Sequence, residues 1–284
     1  MKFNSPLRYP GGKGKTADFF AELFRCNNLV GGTYVEPYVG GGSVALHLLF
    51  EGLVSRIVIN DKDRSLYAFW HSVLYNTKEL CQLIDETPIT VDNWKIQKEI
   101  QNSKENIDLL TLGFSTFYLN RTNRSGIIKG GIIGGVNQTG NYGIDARYNK
   151  KNLIERIQKI AQYTNQIVLF NLDAVQLVKE QKRILPPNTL FYFDPPYYVK
   201  GKGLYMNYYC DNDHCNIRDE IALIDTQKWI VTYDCVPFIA ELYKDYRMVQ
   251  FSLNYSASTV GKGKEYMIFS NNVIIPEHSL LLEE

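Results

Sequence analysis

The sequence predicts an α/β domain built on a mainly parallel β-sheet. Short apolar runs alternate with stretches of helical periodicity along most of the 284 residues. This alternation is typical of parallel strands joined by crossover helices. A glycine-rich turn follows the first apolar run, and acidic residues stand at the ends of four such runs. In open sheets of this kind ligands bind at the carboxyl ends of the strands, so the same pattern indicates a binding site there.

The first part of the chain predicts a strand, a tight turn and a helix. Residues 33–46 supply an apolar strand, a glycine triplet and the start of an apolar helix. A second strand is predicted at 56–60, and Asp61 follows it directly. Residues 64–85 predict a helix, because apolar side chains recur on one face. The more polar stretch 89–118 is also predicted to be mostly helical.

The composition changes between residues 120 and 149. Seven glycines crowd there together with Asn and Thr, which predicts a long loop or hairpin rather than core. Residues 120–159 contain eight Lys and Arg against two acidic residues, a net charge of +6 in a chain whose formal net charge is +1. A local basic patch is typical of a surface that meets phosphate, and a solvated surface gives the same pattern.

The remaining chain returns to alternating elements. A helix is predicted near 152–157. Further strands are predicted at 167–170, 189–193, 229–233, 246–254 and 266–270. The acidic residues at the strand ends are Glu36, Asp61, Asp173 and Asp194.

The residues Asp194-Pro195-Pro196-Tyr197 directly follow the predicted strand 189–193. Prolines fix φ and carry no N–H, which leaves carbonyl groups free to accept hydrogen bonds from another molecule. A carboxylate, a carbonyl and an aromatic face at one strand end suit a planar ring that carries an amino group, such as a nucleobase. The same residues are also an ordinary way to end a strand and begin a turn.

The glycine triplet Gly40-Gly41-Gly42 follows a strand and opens a helix, as in nucleotide-binding folds. It matches neither Gly-x-Gly-x-x-Gly nor a phosphate loop, so on its own it is a weak signal. Asp61 strengthens it, because a carboxylate about twenty residues later accepts hydrogen bonds from ribose hydroxyls in Rossmann-type sites. The alternative is that Asp61 caps the following helix.

Taken together, the motifs resemble the Dam-type DNA adenine-N6 methyltransferases (D12 class, alpha group), which use S-adenosylmethionine. The matching segments, between about residues 6 and 270, are 8–13, 34–42, 120–122 with Gly126, 194–197, 255–257 and 264–266. The resemblance implies a Rossmann-like S-adenosylmethionine-dependent methyltransferase sheet at residues 1–75 and 160–284. It also implies an inserted helical and hairpin target-recognition region at residues 76–159.

The resemblance implies roles for individual residues. The implied cofactor-binding residues are Tyr9, Lys13, Glu36, Pro37, Gly40, Gly41, Gly42, Asp61, Asp173 and Asp194. The implied catalytic residues are Asp194, Pro195, Pro196 and Tyr197. The implied DNA-reading residues are Asn120, Asn123, Arg124 and Lys129, whose side chains can pair with base edges. Lys129 stands where the family pattern places an arginine, so the target sequence stays open.

The same resemblance implies a mechanism. Asp194 and the Pro195 carbonyl accept the two N–H groups of adenine N6, which turns the nitrogen lone pair toward the methyl group. The base is flipped out of the duplex, and Tyr197 stacks on it. Cytosine-N4 methyltransferases usually have Ser in place of Asp194, and protein-glutamine methyltransferases usually have Asn. A DNA-binding protein without catalysis is a third interpretation.

Composition bears on location and partners. No apolar run approaches 18 residues, and the N-terminus lacks the apolar core of a signal peptide. The five scattered cysteines are typical of reduced thiols in a cytoplasm. We therefore expect a cytoplasmic protein of a bacterial, archaeal or phage-infected cell, without a membrane partner. The expected partner is double-stranded DNA, and the protein itself is expected to be a monomer. A cognate restriction endonuclease as partner, an orphan chromosomal role and a phage origin are all compatible with the sequence.

The segment Cys210–Cys215 is the one place where cysteine and histidine cluster. Its spacing fits no zinc pattern, so no metal is expected. We predict a solvated polar loop there.

Overall fold

The structure is a computed structural model that describes residues 4–8, 16–199, 209–255 and 261–276. The chain forms two compact units. The helical unit comprises Met1–Gly12 and Asp63–Asn165, and the sheet unit comprises Lys13–Lys62 and Gln166–Glu284. In the described part of the chain no helix is long and apolar enough to cross a bilayer.

The secondary structure follows the predicted alternation. The strands are β1 Gly32–Glu36, β2 Val54–Asn60, β3 Ile167–Phe170, β4 Thr189–Phe193, β5 Lys228–Asp234, β6 Arg247–Tyr255 and β7 Gly261–Phe269. The helices are α1 Ala17–Cys26, α2 Ser43–Phe50, α3 Arg64–Tyr75, α4 Thr77–Glu86, α5 Val91–Asn102, α6 Leu109–Thr122, α7 Lys150–Ala161, α8 Ala174–Ile184, α9 Asp211–Ala222 and α10 Pro237–Leu242.

The sheet unit contains a seven-stranded sheet in the order β3-β2-β1-β4-β5-β7-β6. The first five of these are parallel, and β7 runs antiparallel to both β5 and β6. The predicted α/β fold with a mainly parallel sheet is therefore confirmed. The chain moves outward from β1 through β2 to β3 and then returns to the other side of β1 with β4. The ends of β1 and β4 thus flank the switch point at which such sheets bind ligands.

Both faces of the central strands are covered, because every residue of β1 and β4 is buried and burial does not alternate along them. On one face Tyr192 packs edge-on against Phe20 of α1, with ring centroids 4.7 Å apart. On the other face Phe191 and Val231 belong to a core that includes residues of α8 and α9. This double cover fixes the strand ends and leaves the residues that follow them to form a site.

The helical unit is organised by the packing of α3 on α6, where the rings of Phe69 and Phe117 stack with centroids 6.0 Å apart. The single helix expected at 64–85 is two helices, because Asn76 leaves the helical conformation and separates α3 from α4. Since α3 packs within this unit, the boundary lies at Lys62/Asp63, whereas the sequence analysis drew it after residue 75.

The segment 210–215 is not the solvated loop that we expected. Cys210 precedes α9, and its backbone N–H donates to the Asp213 carboxylate at 2.8 Å, which completes a capping box. His214 is fully buried, and its Nδ1 lies 2.8 Å from the Tyr233 hydroxyl. Within the described residues no group of three or more His, Cys, Asp or Glu is placed to hold a metal ion.

Candidate functional site

Asn60 links the carboxyl ends of three strands. Its side-chain amide donates to the Pro37 carbonyl at 2.9 Å and to the Leu172 carbonyl at 3.1 Å, and its Oδ1 accepts from the Leu172 N–H at 2.8 Å. The side chain is fully buried, so these bonds replace water and hold the strand ends in one arrangement. Asn60 was not among the predicted site residues, although it is a polar residue that directly follows the apolar run 57–59 at the end of β2.

The glycine turn is held by Asp61, the next residue. The Gly40 N–H donates to Asp61 Oδ2 at 3.1 Å. Gly40 and Gly42 have φ of +44° and +60°, a region that residues with a Cβ rarely adopt. The cap of α3 is Asp63, whose carboxylate accepts from the Ser65 N–H at 2.9 Å. Asp61 is therefore part of the turn and does not cap the helix.

Asp173 lines a cavity of about 780 Å³ in the sheet unit. Its Oδ1 accepts from the Val175 N–H at 3.0 Å and so caps α8, and its Oδ2 lies 3.0 Å from Lys62 Nζ. Tyr209 also lines the cavity, and its hydroxyl lies 2.8 Å from that of Tyr38. Burial raises the pKa of both tyrosines, so both hydroxyls keep their protons at neutral pH.

Glu36 and Asp194 end the two strands that flank the switch point. Glu36 is buried, at 5% exposure, whereas Asp194 is partly exposed. Tyr192 lies near both: burial raises its pKa first, and the charges of Asp194 and Glu36 raise it further. The next three residues, Pro195, Pro196 and Tyr197, are buried. Asp194 is therefore the most exposed of these four residues.

The groups at this sheet edge fit S-adenosylmethionine. The buried Glu36 carboxylate suits an ammonium group, and Asp61 and Asp173 offer acceptors for hydroxyl and amino groups. The positive φ of the turn glycines allows close approach of the backbone. Two of the implied cofactor residues, Tyr9 and Lys13, lie outside the described residues.

In the helical unit, Asn120 is used to hold the backbone of Arg8. Its Oδ1 accepts from the Arg8 N–H at 2.8 Å, and its amide donates to the carbonyls of Arg8 and Gly126 at 2.7 and 2.9 Å. Gly126 has a φ of +75°, and a Cβ there would lie 2.2 Å from the Arg8 carbonyl oxygen. Asn120 is 1% exposed, so its side chain positions backbone and does not face base edges, contrary to the sequence analysis.

Asn123 has the same inward role. Its Oδ1 accepts from the Trp94 indole N–H at 2.6 Å, and its amide donates to the carbonyls of Ile127 and Ile128, both at 2.9 Å. The side chain is fully buried. These bonds fold residues 123–132 into a tight hairpin, in which Asn123 bridges Ile132. The expectation that Asn123 reads base edges is therefore also revised.

Arg124 and Lys129, the two cations of this hairpin that the sequence analysis selected, are exposed. Arg121 is different, because the residue is only 8% exposed and its Nε donates to the Pro6 carbonyl at 2.8 Å. Burial, together with nearby Arg156 and Arg8, lowers the pKa of Arg121 to about 9, so it is charged at neutral pH. In this hairpin the buried amide of Asn123 therefore holds the backbone, while the exposed side chains of Arg124 and Lys129 carry positive charge.

The strand order and the acidic strand ends are typical of an α/β domain that binds a nucleoside-containing ligand at the switch point of its sheet. A family model for D12 class N6 adenine-specific DNA methyltransferases matches residues 9–257. The chain therefore belongs to that family, as the sequence motifs predicted. Members of that family are N6 adenine-specific DNA methyltransferases.

Individual relatives are distant. The chain is 24% identical over 204 residues to the Type II methyltransferase M.MjaIII of Methanocaldococcus jannaschii, and the match covers 67% of this chain and 66% of that protein. Among solved structures, a candidate RNA methyltransferase from Pyrococcus horikoshii matches with a TM-score of 0.42 and 9% identity over 93% of this chain and 85% of that one. A precorrin 8W decarboxylase from Methanobacterium thermoautotrophicum matches with a TM-score of 0.33 and 12% identity over 88% of each chain. Scores this low carry no argument about function.

Proposed function

We propose that this protein transfers a methyl group from S-adenosylmethionine to N6 of an adenine in a specific double-stranded DNA sequence, after the base has been flipped out of the duplex. One observation carries the proposal: β1 ends in Glu36, and Asp194 directly follows the adjacent strand β4, at the switch point of the sheet. A carboxylate suited to the cofactor and a carboxylate suited to an amino group therefore belong to one site.

In this proposal the cofactor lies along the strand ends. Glu36 and Pro37 with the glycine turn Gly40-Gly41-Gly42 hold its methionine part, Asp61 accepts from the ribose, and Asp173 accepts from its adenine. The Asp61 contact to Gly40 supports the assignment, because it couples the shape of the turn to the ribose acceptor. Tyr9 and Lys13 stay predicted neighbours of the cofactor.

The target amine is held by two acceptors. S-adenosylmethionine, when bound, supplies the methyl group on a positively charged sulfur. The Asp194 carboxylate accepts one N–H of adenine N6, and the Pro195 carbonyl accepts the other. These two bonds draw the nitrogen toward tetrahedral geometry and orient its lone pair, so positioning and electrostatics provide most of the rate. Pro196 stiffens the turn, and Tyr197 stacks on the flipped base.

DNA contact is assigned to the exposed cations of the 123–132 hairpin. Arg124 and Lys129 attract the phosphate backbone, and Lys129 can also reach the acceptors of guanine in the major groove. Asn120 and Asn123 support this surface from inside. The identity of the target sequence depends on the hairpin and is not part of the proposal.

The partner protein and the cellular location are proposed by analogy with relatives of this chain. The relative named above is a Type II methyltransferase, which supports a cognate restriction endonuclease as a partner of this chain. We also propose that the protein acts as a monomer in the cytoplasm.

The proposal is tested with methyl-labelled S-adenosylmethionine and unmethylated duplex DNA, followed by digestion to nucleosides. We expect label in N6-methyladenine, and none with the Asp194→Ala variant, whose folding is checked by thermal unfolding. Label in N4-methylcytosine would show that cytosine, and not adenine, receives the methyl group. DNA retention without label would indicate a binding protein, and full activity of Asp194→Ala would contradict the role of the turn.

A further inference from the structure

We propose that Thr232 and Asp234, near the end of β5, hold the two ends of the turn formed by residues 194–199 in the geometry that methyl transfer needs. This inference rests on the proposed function of Asp194. Both residues act through other groups and touch neither substrate nor cofactor, so they are positioning residues.

Thr232 holds the first end of the turn. Strands β4 and β5 are parallel and pair up to Phe193 with Val231, so the next residues, Asp194 and Thr232, face each other just beyond the paired register. The Thr232 hydroxyl donates to Asp194 Oδ1 at 2.7 Å. Thr232 is fully buried, and a hydrogen bond to a carboxylate is among the stronger kinds. It therefore selects one orientation of the Asp194 side chain.

The bond to Asp194 is the last of two hydrogen bonds in series. The Tyr192 hydroxyl lies 2.9 Å from Thr232 Oγ1. Because Thr232 gives its only hydroxyl proton to a carboxylate, which can only accept, Tyr192 must donate to Thr232. Burial raises the pKa of Tyr192 well above its ordinary value, so its hydroxyl keeps the proton that this requires. Both hydroxyl dipoles consequently point toward Asp194.

Asp234 holds the second end of the turn. Its two carboxylate oxygens accept from two consecutive backbone N–H groups, that of Tyr198 at 3.0 Å and that of Val199 at 2.9 Å. Asp234 is 5% exposed, so water cannot easily replace it. The Tyr198 ring also stacks on Phe238 of α10, with centroids 4.6 Å apart.

Between these two ends the turn offers no N–H group at Pro195 or Pro196. Backbone N–H groups therefore cannot hold the turn at Pro195 and Pro196, and the hydrogen bonds of Thr232 at one end and Asp234 at the other contribute to its position. The centre carries the Pro195 carbonyl, one of the two proposed acceptors. Loosening either end should lower the rate of methyl transfer while leaving cofactor and DNA affinity unchanged.

Thr232→Val removes the hydroxyl and keeps the shape of the side chain. We expect kcat to fall on the order of tenfold to a hundredfold, the range seen when partners of catalytic ligands are removed, with KM for both substrates within about twofold of wild type. Thr232→Ser should restore most of the rate. Thr189→Val is the matched control, because Thr189 is equally buried on β4 and its hydroxyl has no hydrogen-bond partner in the described structure.

Wild-type kcat in Thr232→Val, or no rescue by Thr232→Ser, would overturn the role of Thr232. Amide hydrogen exchange tests the other end without any methyl transfer. The amides of Tyr198 and Val199 should be protected in the wild type and exchange at least about tenfold faster in Asp234→Asn; equal exchange would overturn that role. An inactive wild type would instead contradict the proposed function, and the exchange result would still decide whether Asp234 holds the turn.

Discussion

The two units of this protein use polar side chains in opposite directions. In the sheet unit Asp61, Asp173 and Asp194 lie at strand ends and stay partly exposed. In the helical unit Asn120 and Asn123 are buried, and their amides bind only the chain itself. What faces outward from the 123–132 hairpin is positive charge rather than amide groups.

This difference corresponds to the two tasks proposed for the protein, which are methyl transfer and DNA binding. Chemistry on a neutral amine depends on acceptors placed to within a fraction of an ångström, so the sheet unit fixes its strand ends with buried bonds such as those of Asn60. Attraction of a polyanion depends mainly on charge, so the helical unit needs a stiff hairpin beneath mobile cationic side chains. Changes in the sheet unit should therefore alter rate, and changes in the hairpin should alter affinity or stability.

The largest expected effect is on the rate, in Asp194→Asn. The amide matches the carboxylate in shape but loses its charge and one acceptor oxygen. We expect the single-turnover rate of methyl transfer to fall by about 100- to 1,000-fold, the usual loss when one group of an electrostatic grip is removed. Rapid-quench measurements with saturating duplex would check this. A fall in this rate of less than about threefold would contradict the proposed catalytic role of Asp194.

The next effect is on cofactor affinity, in Asp61→Ala. The variant loses the contact to Gly40 as well as the proposed ribose acceptor, so Kd for S-adenosylmethionine should rise by about tenfold to a hundredfold. Isothermal titration calorimetry would measure it. Asp225→Ala, an exposed position in the same unit, is the control and should bind normally; equal affinity in both variants would break the assignment.

The Asn123→Ala variant tests whether Asn123 stabilises the hairpin or contacts DNA bases. Removing the amide leaves the Trp94 indole N–H and two hairpin carbonyls without their partner, so the free energy of unfolding should fall by about 2 kcal/mol. Urea denaturation would give the value. If Asn123 instead contacts bases, stability will be unchanged and only DNA binding will weaken, which would contradict the inward role.

The smallest expected effect is on DNA affinity, in Lys129→Ala. One phosphate contact fewer should weaken binding several-fold at moderate salt and reduce the slope of log K against log salt by about one. Stability should stay within about 0.5 kcal/mol of wild type. Lys95→Ala, at an exposed lysine of α5, serves as the control. An unchanged slope would place the DNA contact elsewhere.

The sheet was predictable because buried parallel strands are continuous apolar runs, and the residues after them mark the ligand edge. The buried roles of Asn120 and Asn123 could not be predicted, because residue type alone does not say whether an amide side chain points inward or outward. For Asn120 the deciding partner is Arg8, which is far away in sequence, so no local pattern could reveal the contact.

Of two other differences, one had a local signal in the sequence and the other did not. Helix α9 could have been recognised from the spacing of Ile217 and Ile221 after the polar residues Asp211, Asn212 and Asp213. The break at Asn76 interrupts a continuous apolar pattern and depends on how α3 and α4 pack within the helical unit, so it could not be predicted.

The central claim is that the turn following β4 takes an adenine amino group. The most direct measurement is a map of modified bases in DNA from cells that lack other adenine methylation and express either the wild type or Asp194→Ala. The account predicts N6-methyladenine at one short sequence with the wild type and none with the variant. N4-methylcytosine, or equal N6-methyladenine in both samples, would contradict it.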